Sequence, residues 1–412
     1  MNGFSRCNRG AVGASGTGAR RVLVISELAG AAMLLVGAGL LIRSYIQLQH
    51  VEPGFESEGV TTFSLSLPAA RYAGLASPRA FVSALLSRLE AEPGVQSAAA
   101  AMGLPFTSDL NAITGFRHEG QVEPDSASMP TASIRIVSPE YFETMKIPIR
   151  GRPFDRRDTA TSPEVVLINE RAAQRFFSGQ NPVGQQIRVS AELARDARTG
   201  PKTIVGVVAN IKSGGLDEDT PAEIYLPYEQ HPVDAFTVAV RMSGDRLASV
   251  PTLRHDVAGL DPLLPLANIK SLAALVDASL AERRFTMLVL LTFAAIAVAL
   301  SVIGVYGVLA YLVGQRRREI GLRLAVGASP ADVVWLFVRE GAALTLVGLG
   351  VGLAGALAAG RWISALLFGV TPADPVTLAI VVCALAGAAA CATYVPARRA
   401  AGVDPSDALR AE

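Results

Sequence analysis

Charge is sparse in this chain, and cysteine and histidine are sparser still. Three cysteines and four histidines stand among 412 residues. Cys7 lies in the N-terminal tail, while Cys383 and Cys391 fall inside one apolar run, so no disulfide framework is expected in the long polar segment between them. His50, His118, His231 and His255 are scattered, and no Cys/His cluster has zinc-ligand spacing. No metal, cofactor or catalytic residue is therefore expected. A net charge of +1 leaves no footprint for nucleic acid. No G-x-x-x-x-G-K-[ST] occurs, so the chain has no P-loop of its own to cradle ATP. G-x-S-x-G and H-E-x-x-H are missing too. Gly350 to Gly355 matches G-x-G-x-x-G, but no strand precedes it and no acid follows at the required distance, so these glycines read as helix packing.

What the chain does have is long apolar runs. Phe285 to Gly314 and Gly341 to Gly360 contain no charged residue. Four spans are expected, at residues 22–48, 285–314, 333–360 and 375–397. The competing reading of the first, a signal peptide, asks for a shorter apolar run and a small-residue exit site. Residues 1–21 are rich in Gly, Ser and Ala, with Arg6, Arg9, Arg20 and Arg21 and no acid, and read as a cytoplasmic tail. Glu27 sits near the inner end of the first span. At a span centre an acid costs roughly 2.5–3.5 kcal/mol, less near the interface. Its bland reading is a snorkelling or helix-contact residue; its sharper one is a proton or substrate site. Gly348 and Gly352 form a small-xxx-small face for close approach of another helix. Trp362, in the short outer loop 361–374, reads as an interfacial anchor.

Residues 49–280 alternate β-rich runs with amphipathic segments. Strands are expected at Val60–Leu67, Val95–Met102, Ser133–Val137, Val165–Ile168, Ile204–Val208, Glu223–Leu226 and Phe236–Arg241, and helices at Pro78–Glu92, Pro139–Met145, Glu170–Phe177 and Arg246–Leu260. This is an α+β extracytoplasmic domain, expected in two lobes, inserted between the first and second of four transmembrane α-helices. Asp217, Glu218 and Asp219 read as a solvated turn. Ser271 to Arg284 reads as a helix running unbroken into the second span.

The tail at 1–21, the loop at 315–332 and the tail at 398–412 are all basic, and they follow zero, two and four crossings. They therefore share one side, the cytoplasm, with both termini inside. Arg283 and Arg284 fall outside but belong to a long translocated domain, which this rule does not weigh. In the loop, Arg316 to Val326 is a credible helix. Glu319 and Arg323 are an i,i+4 pair in the favourable order, and Ser329, Pro330 and Asp332 read as N-cap, first and third helical positions of the next span. The loop serves either to meet a cytoplasmic partner or only as a topology signal among lipid headgroups.

Longer motifs bear on that choice. LLVGAGLLIRSYIQLQHVEPGF (34–55), VSPEYFETMKIPIRGRPF (137–154), VVLINERAAQRFFSGQNPVGQQI (165–187) and IVGVVANIKSGGLDEDTPAEIYLPY (204–228) resemble the MacB-like periplasmic core domain. RREIGLRLAVGAS (317–329) and PARRAAGVDPSDALR (396–410), within 285–405, resemble the FtsX-like permease domain. The chain thus resembles a MacB/FtsX-type ABC transporter permease, and in particular one half of the duplicated permeases of acidobacteria-like genomes. The resemblance implies a multi-pass inner-membrane subunit that is not itself an enzyme. It implies a separate ABC ATPase subunit and a second permease copy as partners, with a periplasmic adaptor or envelope enzyme outside. Glu319, Ile320, Gly321, Arg323 and Gly327 would form the element that couples ATP hydrolysis to movement of the periplasmic domain. The alternative is a membrane scaffold that regulates an envelope enzyme without transport.

Overall fold

The computed structural model of the chain describes residues 11–74, 76–107, 112–119, 129–177, 179–189, 200–243, 250–326, 329–364 and 367–401. Two compact units are present: Val51–Ala281 forms one, and the segments on either side form the other.

The inserted unit is built on β1 (Val60–Ser66), α2 (Ala76–Glu90), β2 (Val95–Ala101), β3 (Ala112–His118), β4 (Thr131–Val137), α3 (Tyr141–Met145), β5 (Ile149–Gly151), β6 (Val165–Asn169), α4 (Glu170–Phe177), β7 (Gln186–Val189), β8 (Lys202–Val208), β9 (Glu223–Pro227), β10 (Ala235–Met242), α5 (Val250–Leu260), β11 (Ala267–Ser271) and α6 (Leu272–Ser279). The strands join in the order β11-β1-β10-β2-β4-β3-β7-β8-β6-β9, and β9 pairs back onto β4, closing a ring of six strands. A ring removes the free edges that an open sheet of this size would expose. The two expected lobes, the ring and the β11-β1-β10-β2 group, are joined in this one sheet through the Ala101–Val137 pairing. They also share their cores. One apolar cluster combines Phe63 and Val238 with Ile134, Ile187, Ile204 and Ile224; the other combines Val60 and Ala239 with Val137, Leu167 and Tyr225. In β6, Val166 and Ile168 belong to the first cluster, Val165 and Leu167 to the second. Both faces of that strand are covered, which accounts for its unbroken apolar run.

Behind β4 and β9 lies a buried ionic network. Arg135 donates to Glu223 Oε1 at 3.2 Å and to the Gly103 carbonyl at 2.8 Å. Tyr225 and Ser213 donate to the same carboxylate at 2.5 and 2.6 Å. Burial pushes the Tyr225 hydroxyl well above its ordinary range, with Glu223 adding to the rise. For Arg135, burial opposes the charge, but Glu223 and the neighbouring tyrosines outweigh it and hold the guanidinium charged.

Several expectations are corrected. The helix read over Ser271–Arg284 is broken: Ser271 closes β11 and caps α6 by accepting from Ala274 N, α6 ends at Ser279, and α7 (Ala281–Gln315) begins after Leu280. The reason is local, since Leu280 N bonds back to Asp277 in an i−3 turn and the Ser279 hydroxyl donates to Val276 O at 2.6 Å. The helix read from Pro139 starts at Tyr141. The helix read from Arg246 is described from Val250, with 244–249 outside the described residues. Strands β3, β5, β7 and β11 had no expectation. They are short or polar, and Ala267–Ser271 is largely exposed, so they lack the apolar alternation that marks a strand.

Removing one partner of a buried pair strands the other charge, at about 3–5 kcal/mol. Arg135→Met is expected to destabilise the chain by that amount in denaturant titrations followed by far-ultraviolet circular dichroism. Arg135→Met combined with Glu223→Leu is expected to recover most of it. A single variant as stable as wild type would contradict the network's role.

Candidate functional site

The other unit contains α1 (Ala11–Gln49), α7, α8 (Arg317–Ala325), α9 (Pro330–Ile363) and α10 (Pro375–Ala401). All but α8 are long and apolar enough to cross a bilayer. With no hydrophobic drive between helices in lipid, close contact must hold them together. A methyl group placed on Gly348 would lie 2.6 Å from Leu28 Cβ, and one on Gly352 would lie 2.6 Å from Ala32 Cβ and 2.8 Å from the Ala29 carbonyl. Glycine is what allows α9 to approach α1 so closely. Gly350, by contrast, faces open space. Gly304 of α7 leaves room for the Glu27 carboxylate, whose Oε2 is buried with no hydrogen-bond partner among the described residues. Glu27 is thus a helix-contact residue here.

Basic residues from distant parts of the chain gather at one end of this unit. Arg21 of α1 and Arg316, between α7 and α8, both pair with Glu340 of α9, the second at 3.7 Å. The Arg20 guanidinium lies 4.0 Å from the centre of the Tyr311 ring. Arg399 of α10 donates to Tyr306 Oη at 3.0 Å. The start of α1, α8 and the end of α10 therefore lie together. At the other end Arg43 pairs with Asp374, which caps α10 by accepting from the Thr377 hydroxyl and amide at 2.7 and 2.9 Å. Those two bonds, with Arg43, hold the Asp374 carboxyl below the usual carboxylate range. Trp362 is exposed.

The amphipathic α8 divides its residues between two roles. Ile320 is 4% exposed and packs in a cluster with Val24, Phe337 and Ala397. Gly321 is buried as well. Glu319 and Arg323 pair with each other on the exposed side. Leu322 and Val326 are 58% and 84% exposed. Gly327 lies outside the described residues. The structure therefore separates the four described residues of the five expected to act together: Ile320 and Gly321 seat the helix, Glu319 and Arg323 are presented, and Leu322 and Val326 join them. Leu322 stands inside the quoted motif, two positions from Ile320, which puts it on the opposite face at 100° per residue. After α8, Ser329 accepts from Asp332 N at 3.3 Å and Asp332 Oδ2 accepts from Ser329 N at 3.1 Å, a capping box built on the N-cap and third position expected from the sequence.

Four helices long and apolar enough to cross a bilayer, with a sheet-rich domain between the first and second, give the architecture of a multi-pass membrane protein. The MacB-like periplasmic core domain family matches residues 23–251, and the FtsX-like permease C-terminal family matches residues 291–405. The chain belongs to the MacB/FtsX-type ABC transporter permeases, inner-membrane components whose inserted domain is extracytoplasmic. It is 29% identical to the pyoverdine export ATP-binding/permease protein PvdT of Pseudomonas putida, across 66% of this chain and 42% of that protein. It is 27% identical to the macrolide export ATP-binding/permease protein MacB of Marinobacter nauticus, across 64% of this chain and 41% of that protein. The chain thus spans about two fifths of the length of these relatives. Among solved structures it is similar to the periplasmic region of MacB from Actinobacillus actinomycetemcomitans, at 14% identity and a TM-score of 0.37, over 56% of this chain and 97% of that one.

Overpacking a close helix contact costs about 1–3 kcal/mol. Gly352→Leu is expected to lower the thermal unfolding midpoint of the detergent-solubilised chain, while Gly350→Leu, two residues away, leaves it unchanged. Equal effects of the two would show that α1 and α9 do not meet as described.

Proposed function

We propose that this chain is the membrane subunit of an export machine, and that the exposed side of α8 receives force from a separate ABC ATPase subunit. The observation that carries this is the division of α8: Ile320 and Gly321 lock the helix into the bundle, while Glu319, Leu322, Arg323 and Val326 face outward. An exposed apolar residue flanked by charges suits a protein groove better than headgroups alone. Glu340 ties the base of this helix to the start of α1 through Arg21 and Arg316, so a push on α8 reaches two spans together. The basic end is cytoplasmic in this reading, both termini included, and residues 22–48, 285–314, 333–360 and 375–397 lie in the bilayer. The names of PvdT and MacB support export as the direction of work. The second span is buried over 17% of its most apolar window, against 33–44% for the others. Phe285, Phe293, Ile296 and Ile303 on it are left for lipid or a second permease copy. ATP binding closes the motor, α8 moves, and the extracytoplasmic domain follows; an adaptor or envelope enzyme outside receives that movement.

The test uses full-length chain reconstituted with the ATPase subunit that co-purifies with it. Glu319→Lys and Leu322→Asp change exposed side chains, so insertion and thermal stability are expected to stay at wild-type values. Each is expected to weaken ATPase association more than tenfold, about 1.4 kcal/mol, and to remove stimulation of hydrolysis. Gly321→Trp also disturbs packing, because Gly321 is buried, and is expected to lose stability together with coupling. Full stimulation by Glu319→Lys and Leu322→Asp would rule α8 out as the coupling element.

A further inference from the structure

We infer that the extracytoplasmic domain contains a binding site of its own: a cavity of about 500 Å³ that accepts a neutral, polyhydroxylated molecule of sugar size. Its volume lies within the range of small-molecule sites, about 300–1,000 Å³. It opens on the surface of β1, β10 and β11 and is closed by the loops at 106–107 and 213–214 and by the last turn of α6.

Six of the twelve described lining residues carry hydroxyl groups, beside a comparable apolar surface, and five of the six hydroxyl hydrogens are already committed. Thr62 Oγ1 donates to the Lys270 carbonyl at 3.0 Å, and Ser64 and Thr237 share one hydrogen at 3.3 Å. Ser213 donates to Glu223, Thr107 to the Leu104 carbonyl, and Ser279 to the Val276 carbonyl. A hydroxyl that donates to the protein keeps lone pairs for a ligand. The hydroxyls therefore act mainly as acceptors, while Lys270, Asn268 and one of the Ser64 and Thr237 hydroxyls can donate, a lining that suits a ligand whose hydroxyls both give and accept hydrogen bonds. Among the described residues no carboxylate lines it, which disfavours cations, and Lys270 is its only charged side chain, which is little for a phosphate or a polyanion. Phe106 and Leu275 add apolar surface of the kind that meets the C–H face of a sugar ring.

The backbone marks the same place. Among the described residues three that are not glycine have positive φ, and two of these, Phe106 at 61° and Asn268 at 53°, line this cavity. At Phe106 this conformation costs of order 1–3 kcal/mol, and such strain clusters where a ligand is clamped; Asn268 is of a residue type that adopts it more readily. Ser213 also connects the wall to the Glu223–Arg135 pair, so the wall is held by a buried, charge-assisted network. Leu275, Ala278 and Ser279 of α6 complete the lining, and helix α7 begins two residues after Ser279. A ligand here touches the segment that leads into the membrane. This site is independent of α8: failure of the ATPase assignment would leave it standing, and its own failure would leave that assignment standing.

The experiment is calorimetric titration of the full chain in detergent with trehalose and with N,N′-diacetylchitobiose. At least one is expected to bind saturably, and its permethylated derivative, which has lost the O–H donors, is expected not to. Thr237→Val is expected to weaken binding about fivefold, the loss of one hydrogen bond, and Ser64→Phe to abolish it by filling the space. Unchanged thermal midpoints of both variants exclude misfolding as the cause. The inference is overturned if neither disaccharide binds saturably, if the permethylated form binds equally, or if Ser64→Phe binds as wild type does.

Discussion

Everything at the basic end depends on how closely α1 and α9 approach one another. In lipid, burying an apolar side chain against another helix gains little over burying it against acyl chains, so contact at short range must supply the association. Gly348 and Gly352 allow it by leaving Leu28, Ala29 and Ala32 space that any side chain would fill. With α9 seated on α1, Glu340 comes within reach of Arg21, and Arg316 at the end of the second span is drawn to the same carboxylate. Ile320 then fills the apolar floor made by Val24, Phe337 and Ala397, and α8 has one allowed roll about its axis. That roll decides which charges and which leucine face outward.

The extracytoplasmic domain solves a different problem with different means. Water is available there, so apolar burial is the main drive, and a ring of strands lets alternate residues serve two cores at once. Such a ring leaves few places for a polar group except the ends of strands and the seams between them. The Arg135–Glu223 pair occupies one seam, where β4 and β9 run parallel. Gly103, Tyr225 and Ser213 offset part of its desolvation, while Arg135 Nε is buried with no partner among the described residues. A network of that kind contributes more to a single arrangement of the loops around it than to stability.

The spans were legible because a bilayer imposes length and apolarity on every residue at once, and a run without charge has few other readings. Doubly buried apolar strands such as Val165–Asn169 were legible for a similar reason. The short strands were not, since residues such as Gln186 and Lys270 enter a sheet through partners far away in sequence. At the candidate site the motif around Glu319 was visible, yet which of its residues face inward was not. Helix periodicity puts Ile320 and Leu322 on opposite faces, but in a helix of nine residues with apolar side chains on both it does not say which face is anchored; the floor beneath Ile320 does. Phe106 gave no sequence signal for its backbone, and Asn268 only the general tolerance of asparagine for the left-handed region. Positive φ is readable in advance at glycine, and at these two positions the surrounding structure imposes it.

The break at Leu280 bears on what movement can pass between a motor and the outer domain. An unbroken helix transmits bending, twist and translation together, because each backbone hydrogen bond resists all three. Leu280 ends one helix and the next begins at Ala281, so the hydrogen-bond ladder is interrupted while the covalent chain is not. At that residue φ and ψ can absorb bending and rotation at small cost, so the joint between α6 and α7 is a hinge. The last turn of α6 also borders the hydroxyl-lined cavity, so a ligand there would stiffen the one element on the outer side of the joint.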